Sequence, residues 1–498
     1  MTRRLRVLPL AIVCLLVPSL GYAQRQWTEV KSPHFTVATD ANEKTARNIA
    51  YQFEQVREVV KRLCPWAPDE IPRPFLVLVP RDENGMKALL PQYADRWNGA
   101  HYATVAQGGA DREYVVMRGD IFAENTQTTN PYQQAFWPYA SVAIHAGLSR
   151  ELPQWFSRGL ADLLSNSIVT DSGIQVGMPF PSKIELLRSA QRPRLQELLT
   201  IDRSSSWMGI DRLSVFDAEA WAFVHMLLFG ENGVYRPRID QFITSLMRGT
   251  PIGAATEISF KDVDKLEYAF VNYIARPSFS YGTLKVDVNV KRDAFTTRQW
   301  SPAETAATIA QLHAASERPV EARARLADAR KTNPNLPLIY EAEAELLSDE
   351  KKTEESRLAY AKAVELGSTN YYAHYMFANL SRPNADPEML VKIEKSLDTS
   401  TKLNPNFVWS HLLLGEVRLQ AGRNEEAVAP LERAVTLERD SVRNRVSLAR
   451  AYLAVNKREA AQKAAQEALS IASTDAERRS AQQIVDMIQR GVPPPRRP

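Results

Sequence analysis

Cysteine is almost missing from this chain, with Cys14 and Cys64 the only two in 498 residues. A thiolate zinc site or a disulfide framework needs more than that. Charge of one sign is also missing: 62 basic against 58 acidic residues leave +4, with no basic excess to argue for nucleic acid as a partner. After residue 24 no segment reads as long and apolar enough to cross a bilayer, which takes about 20 residues. No Gly-x-Ser-x-Gly elbow occurs anywhere, so the simplest serine-hydrolase signature is absent.

What is present begins with an export pattern. Arg3, Arg4 and Arg6 precede an apolar run over residues 7–20, and Gly21 and Ala23 stand at the small positions before a cleavage point. Residues 1–23 therefore read as a signal peptide cut after Ala23, which places the protein outside the cytoplasm, secreted or periplasmic. Val13 before Cys14 disfavours a lipoprotein signal. Cleavage removes three arginines and Cys14, leaving 59 basic against 58 acidic residues, +1, and a lone Cys64. Cys64 reads as a buried thiol, with a reactive thiol as the alternative.

The first mature segments alternate as strands do, over 27–30 and 34–38, with Ser32 and Pro33 between them. Ile49, Phe53, Val56, Val60 and Leu63 then recur every three to four residues, which predicts a helix over 42–63, entered by a capping-box spacing of Asp40 and Glu43 and ended by Pro65. Residues 75–79 and 114–117 read as further strands of a small mixed sheet. From Phe136 the pattern turns helical, with helices expected over 182–199, 216–229 and 235–248, and residues 281–292 alternate again as a short hairpin or extended linker.

A repeat then appears by spacing. Ala310, Ala344, Ala378, Gly415 and Ala449 are separated by 34, 34, 37 and 34 residues, and Ala329, Ala363, Ser400, Ala434 and Ala468 follow the same steps. Leu326, Tyr360, Leu397 and Leu431 supply large packing residues between them, with Ala465 the weak member. This is the tetratricopeptide pattern of paired helices, about five units over 303–475. The three extra residues in the middle unit fall near Pro383 and Pro387, where a loop absorbs them. Residues 476–491 read as a capping helix and 492–498 as a disordered tail.

Two further stretches carry a resemblance. Residues 152–165 read LPQWFSRGLADLLS, and residues 138–142 upstream read PYASV. Together with SPHFTVATD at 32–40, FEQVR at 53–57 and FDAEAWAFVHMLLFG at 216–230, they resemble the peptidase MA-like family of gluzincin-type zinc metallopeptidases, over about residues 27–276. In that family a His-Glu-x-x-His helix lies upstream of a Pro-x-Trp-x-x-Glu-Gly-Leu-Ala segment. The resemblance implies metal-ligand positions at Pro138, Val142 and Arg158 and a general-base position at Tyr139. None of these four residues can do that work, and Arg158 sets a permanent positive charge where the ion would sit.

The fold class expected is an α+β N-terminal half, a small mixed sheet (24–120) plus a helical, zincin-like subdomain (121–280), then a linker (281–302) and an all-α tetratricopeptide-repeat solenoid. No metal or cofactor is expected. His145 and Asp162 lie one turn beyond the vacant positions; if the two helices run antiparallel, a site shifted that way separates by about 10 Å, too far to share an ion. Glu219 and His225, six residues apart on a helix, face different directions and read as structural. Ser141 reaches His145 at i+4 but has no third orienting group, and Ser157 and Ser165 have no evident base.

The array's usual role is to bind a peptide or protein. Tyr371, Tyr372, Tyr375 and Phe377 form the densest aromatic cluster and read as binding anchors, or as packing between repeats. Arg443, Arg445, Arg450 and Lys457 read as a solvated face. The function expected is a catalytically inactive, exported protein-binding scaffold; the alternatives are an active hydrolase with a non-standard site and a structural subunit of an envelope complex.

Overall fold

The computed structural model describes residues 26–92, 104–120, 130, 132–146, 152–170, 173–285 and 290–490. The expected signal peptide at 1–23 and tail at 492–498 lie outside the described residues. Six strands form one mixed sheet: β1 (Thr28–Lys31), β2 (Phe35–Thr39), β3 (Phe75–Val79), β4 (Thr104–Gly108), β5 (Glu113–Met117) and, far along the chain, β9 (Thr296–Gln299), in the order β4-β5-β3-β2-β1-β9. The middle strands β2, β3 and β5 are parallel, with Val77 opposite Val37 and Val115, while β4 pairs antiparallel with β5, β1 with β2, and β9 with β1.

Successive strand residues point to opposite faces, which explains why β3 is apolar throughout. Phe75, Val77 and Val79 enter the core beneath helix α1 (Glu43–Leu63), and Leu76 and Leu78 join Trp27, Tyr114 and Val116 on the other face. A strand covered on both sides needs no polar edge. Ile49, Phe53, Val56 and Val60 form the apolar stripe of α1 as their spacing predicts. Its cap differs from expectation: Asn42 Oδ1 accepts the Thr45 N–H at 2.9 Å, and Asp40 instead accepts the Arg81 N–H at 2.6 Å.

Helices α2 (Glu83–Leu89), α3 (Gln133–Ala146), α4 (Gln154–Ser165), α5 (Pro181–Ser189), α6 (Leu195–Leu198), α7 (Leu213–Phe229), α8 (Arg236–Met247), α9 (Ile252–Ser259) and α10 (Val263–Ile274) complete the first half. The single helix expected over 182–199 is split: the first part ends at Ser189 with Ala190 extended, and Pro193, which cannot continue a helix, stands before the second part begins at Leu195. One core runs from Val30 to Phe295 and takes residues from α1, α3, α4 and α7 together with the sheet, so no division of packing falls at residue 120. α4 crosses α7 at Gly159, where a Cβ would lie 2.3 Å from the Ala220 carbonyl oxygen. No larger residue fits there. α7 and the turn after it, Leu213–Gly233, are long and apolar enough to cross a membrane, contrary to the sequence reading. In the fold they are mostly buried, and the apolar character serves the core.

The segment expected as a short hairpin or linker, 281–302, carries two strands. Gly282–Leu284 (β8) pairs with Gly173–Val176 (β7), which pairs with Ile168–Thr170 (β6), and β9 extends the main sheet beside β1. Trp300 stacks on Trp27 at 5.9 Å and donates its indole N–H to Glu29 at 2.7 Å. Ser301 and Glu304 then form a capping box that starts the repeats without a free segment between.

Five helix pairs follow: α11 (Pro302–Ala315) with α12 (Pro319–Thr332), α13 (Pro337–Asp349) with α14 (Thr353–Glu365), α15 (Tyr371–Ser381) with α16 (Pro387–Leu403), α17 (Val408–Gln420) with α18 (Asn424–Leu437), and α19 (Val442–Ala454) with α20 (Arg458–Ile471). α21 (Asp475–Arg490) packs over the last pair. The small residues are where the paired helices touch: a Cβ on Gly415 would meet Leu431 Cγ at 2.3 Å. Leu326, Tyr360, Leu397, Leu431 and Ala465 are all buried. The extra residues of the third unit include a 3-10 turn at Arg382–Asn384, in the loop expected to absorb them. Ile309 and Leu312 of α11 complete the second face of the sheet, so the array is docked on the first half through a shared apolar cluster.

Candidate functional site

Trp155 and Phe156 anchor α4 in the core and Gly159 holds it against α7, which turns Arg158 along the α7 surface. Its Nε and Nη2 donate to the two carboxylate oxygens of Asp217 at 2.5 and 2.8 Å, and its guanidinium lies 5.4 Å from the Trp137 ring centroid. Lys183 Nζ donates to Asp162 at 2.5 Å and to the Asp217 carbonyl at 3.3 Å. Two cations and two carboxylates thus close on one another. Burial opposes the Arg158 charge, but Asp217 holds its pKa above the ordinary value; burial raises that of Asp162 against the pull of Lys183.

The other three positions implied by the resemblance supply no donor either. Tyr139 faces the sheet, edge-on to Phe35 and Phe75 at 5.1 and 5.7 Å, and Pro138 and Val142 are half-buried. His145 Nδ1 donates to the carbonyl of Ser141 at 2.7 Å, turning back on its own helix. Ser157 and Ser165 donate to carbonyls of Pro153 and Asp162. Glu219 accepts from Arg192 at 2.7 Å, and burial pushes its pKa up to about 8. His225 sits between the Tyr273 hydroxyl and the Gly177 carbonyl, each at 2.6 Å, and burial pulls its pKa down to about 4. The two belong to separate polar clusters. Among the described residues no three of His, Cys, Asp and Glu gather in metal-binding geometry. Cys64 is buried, and burial pushes its thiol pKa up.

The four aromatic residues of the array divide. Tyr371 is buried and its hydroxyl donates to the Asp111 carbonyl at 2.6 Å. Phe377 packs with Ala344, Leu347 and Tyr360 between repeats. Tyr372 is half-buried among Tyr360, Tyr371 and Phe407. Tyr375 opens on a cavity of about 300 Å³ shared with Asn379, Trp409, Leu412, Leu413 and Arg443. A second cavity of about 590 Å³ adjoins it at Arg443 and runs over Arg382, Glu416, Val446 and Arg450 toward α21. Trp409 is 40% exposed, and the Arg443 guanidinium lies 5.7 Å from its ring centroid. Trp409 is 37 residues after Tyr372, and Arg443 is 34 after Trp409, so the repeat step itself could have found them. Arg443 and Arg450 therefore line a groove, whereas the sequence alone reads them as a plain solvated face.

A second contact was invisible in the sequence. The turn between β4 and β5 enters the array, where Asn370 Nδ2 donates to Asp111 at 2.8 Å and to Glu341 at 3.0 Å. Arg112 holds the same Asp111 carboxylate at 2.5 Å. Ser368 donates to Glu341 at 2.6 Å, and one oxygen of buried Glu345 has no hydrogen-bond partner among the described residues. Burial raises the pKa of both glutamates, with Asp111 adding to the rise and Arg112 opposing it. Further on, Asn404 donates to the Pro72 carbonyl at 2.8 Å and Asn406 to Glu70 at 2.9 Å.

No family model and no curated protein matches the chain. Among solved structures, YrrB, described as a TPR protein with an unusual peptide-binding site, is similar over 36% of this chain and 92% of its own, at 16% identity and a TM-score of 0.32. TTC0263, a thermophilic TPR protein of Thermus thermophilus, is similar over 37% of this chain and 98% of its own, at 21% identity and 0.25. The APC/C hetero-tetramer Cut9-Hcn1 is similar over 72% of this chain and 76% of the matched chain, at 12% identity and 0.27. At such scores the likeness adds nothing to the five helix pairs and their 34-residue step, which by themselves make the second half a helical-repeat solenoid.

Proposed function

We propose that this is an exported protein-binding scaffold: a catalytically inactive domain of the peptidase MA-like kind carries a tetratricopeptide array whose open groove takes a protein or peptide partner. Export is supported by the arginines, apolar run and small residues of 1–23. Loss of metallopeptidase chemistry is supported by the Arg158–Asp217 clasp at the position that the resemblance assigns to a metal-binding glutamate. A guanidinium does not deprotonate in proteins and presents no lone pair to a cation. Tyr139, at the general-base position, is spent on core packing.

The observation that carries the binding role is the groove at Tyr375, Trp409 and Arg443, an aromatic and cationic surface of the kind that anchors interfaces. The test is a photo-crosslinking amino acid in the full chain at Trp409, with Val391 and Ile210 as exposed control positions outside the groove. After irradiation in an envelope preparation, protein adducts are expected from position 409 and not from the controls. Absence of any protein adduct from position 409 would remove the binding role.

A further inference from the structure

The inner face of the array changes character along its axis. Equivalent positions of α15, α17 and α19 carry Tyr372, Trp409 and Arg443; Tyr375, Leu412 and Val446; and Asn379, Glu416 and Arg450, each row stepping by 37 and then 34 residues. Aromatic surface gives way to cationic surface within one repeat. The charged groups around the cationic end are Arg382, Arg443 and Arg450 against Glu416 and Glu477. Glu416 is engaged by Arg382 at 2.8 Å, and Glu477 accepts the N–H groups of Ser473 and Thr474 at the start of its own helix. Arg443 reaches Glu416 only at 3.5 Å and its side chain is 58% exposed.

The same inner face already holds part of this chain. At the start of α15 it takes the Asp111 carboxylate and carbonyl through Asn370 and Tyr371. Phe407 continues that interface into the groove, with its ring 4.9 Å from Tyr371 and 5.1 Å from Tyr375. Neighbouring packed helices are about 8–10 Å apart, and an extended peptide advances about 3.3 Å per residue. One repeat step therefore matches about three residues of an extended ligand.

We propose that the groove takes an extended peptide segment of a partner protein that lays a large apolar side chain over Tyr375 and Trp409 and, about three residues away, a carboxylate on Arg443. This rests on the reading of the array as a protein-binding module and names the chemistry of its partner. The apolar side chain buries against the ring faces and Leu412, while the carboxylate displaces the long Glu416 contact of Arg443 with a charge-assisted hydrogen bond.

Fluorescence anisotropy of the full chain with labelled Gly/Ser peptides tests this, each peptide carrying one Leu and one Glu at varied separation. The tightest binding is expected near a separation of three, weakened about tenfold when the peptide Glu becomes Lys or the protein carries Arg443→Glu. Arg443→Glu should instead gain the Lys peptide. Arg445→Glu, whose guanidinium bonds the Arg439 carbonyl and Glu467 away from the groove, should leave the Glu peptide bound. Arg443→Gln provides a milder variant should charge reversal disturb folding. Failure of every peptide to bind, or binding indifferent to charge, overturns the proposal, as does self-association of the chain that Arg443→Glu abolishes. A protein adduct from position 409 alongside those negatives would leave the scaffold standing and remove only this ligand chemistry; no adduct at all would remove the scaffold as well.

Discussion

Arg158 on α4 and Asp217 on α7 meet in a two-point clasp of 2.5 and 2.8 Å, beside the place where α4 crosses α7 at Gly159. Both side chains are less than a quarter exposed. The clasp therefore joins two core helices.

Replacing Arg158 by Met leaves Asp217 without its guanidinium and close to Asp162, with Lys183 the cation remaining beside them among the described residues. Urea unfolding should show a loss of about 1–3 kcal/mol for Arg158→Met and for Asp217→Asn. The double variant should lose less than the sum by about 1 kcal/mol. Strictly additive losses would mean that the pair does not hold the helices together.

Gly159→Ala drives a Cβ to 2.3 Å from a backbone oxygen that cannot rotate away. A loss of about 1–3 kcal/mol, and several degrees in Tm, is expected. Gly253→Ala on α9 meets nothing within 4 Å and should leave Tm unchanged or raise it. Equal melting of the two variants would contradict the close crossing.

The seam between the β4–β5 turn and the array should loosen as pH rises. Asp111, Glu341 and Glu345 face one guanidinium, Arg112, with Asp349 a further acidic neighbour of Glu345, and burial raises both glutamates. Freed from the seam, a glutamate titrates near about 4.3. Above that value the docked state keeps protons that the undocked state has released, so docking is strongest in acid and weakens as pH climbs through the docked pKa. Hydrogen exchange in Tyr371–Ser381, corrected for intrinsic rate, should show less protection at alkaline than at acid pH. Glu345→Gln should flatten part of that dependence; an unchanged profile would contradict it. Glu219, raised to about 8, titrates in the same sense but lies on α7, outside the exchange window.

Removing the repeats should not leave a well-folded first half. Ile309 and Leu312 cover Leu76, Leu78, Tyr114 and Val116 on the second face of the sheet. A chain ending before the repeats should bind ANS and elute as aggregates, because a large uncovered apolar patch is an association hazard. A monomeric fragment that melts cooperatively would show the two halves to be independent.

Regular features were legible in the sequence. The stripe of α1, the strand 75–79 and the repeat step follow from periodicities that one face of a helix or strand imposes. Features made by distant partners were not. Nothing in 281–302 announces that β9 pairs with β1, since Thr28 and Gln299 lie at opposite ends of the first half. Arg158 is visible as a misfit, but its partner Asp217 is one carboxylate among many until the helices are placed. Tyr371 and Tyr375 look alike as neighbours in the chain, yet four residues on a helix whose neighbours differ send one to Asp111 and the other to the groove.

Zinc titration of the purified full chain, followed by elemental analysis, is the most direct test of the proposal that the first half holds no catalytic metal. Substoichiometric, weakly held metal is the expected result, since Arg158–Asp217 stands at the implied ligand position. One tightly held equivalent that is lost on Asp217→Asn or on chelation would contradict it.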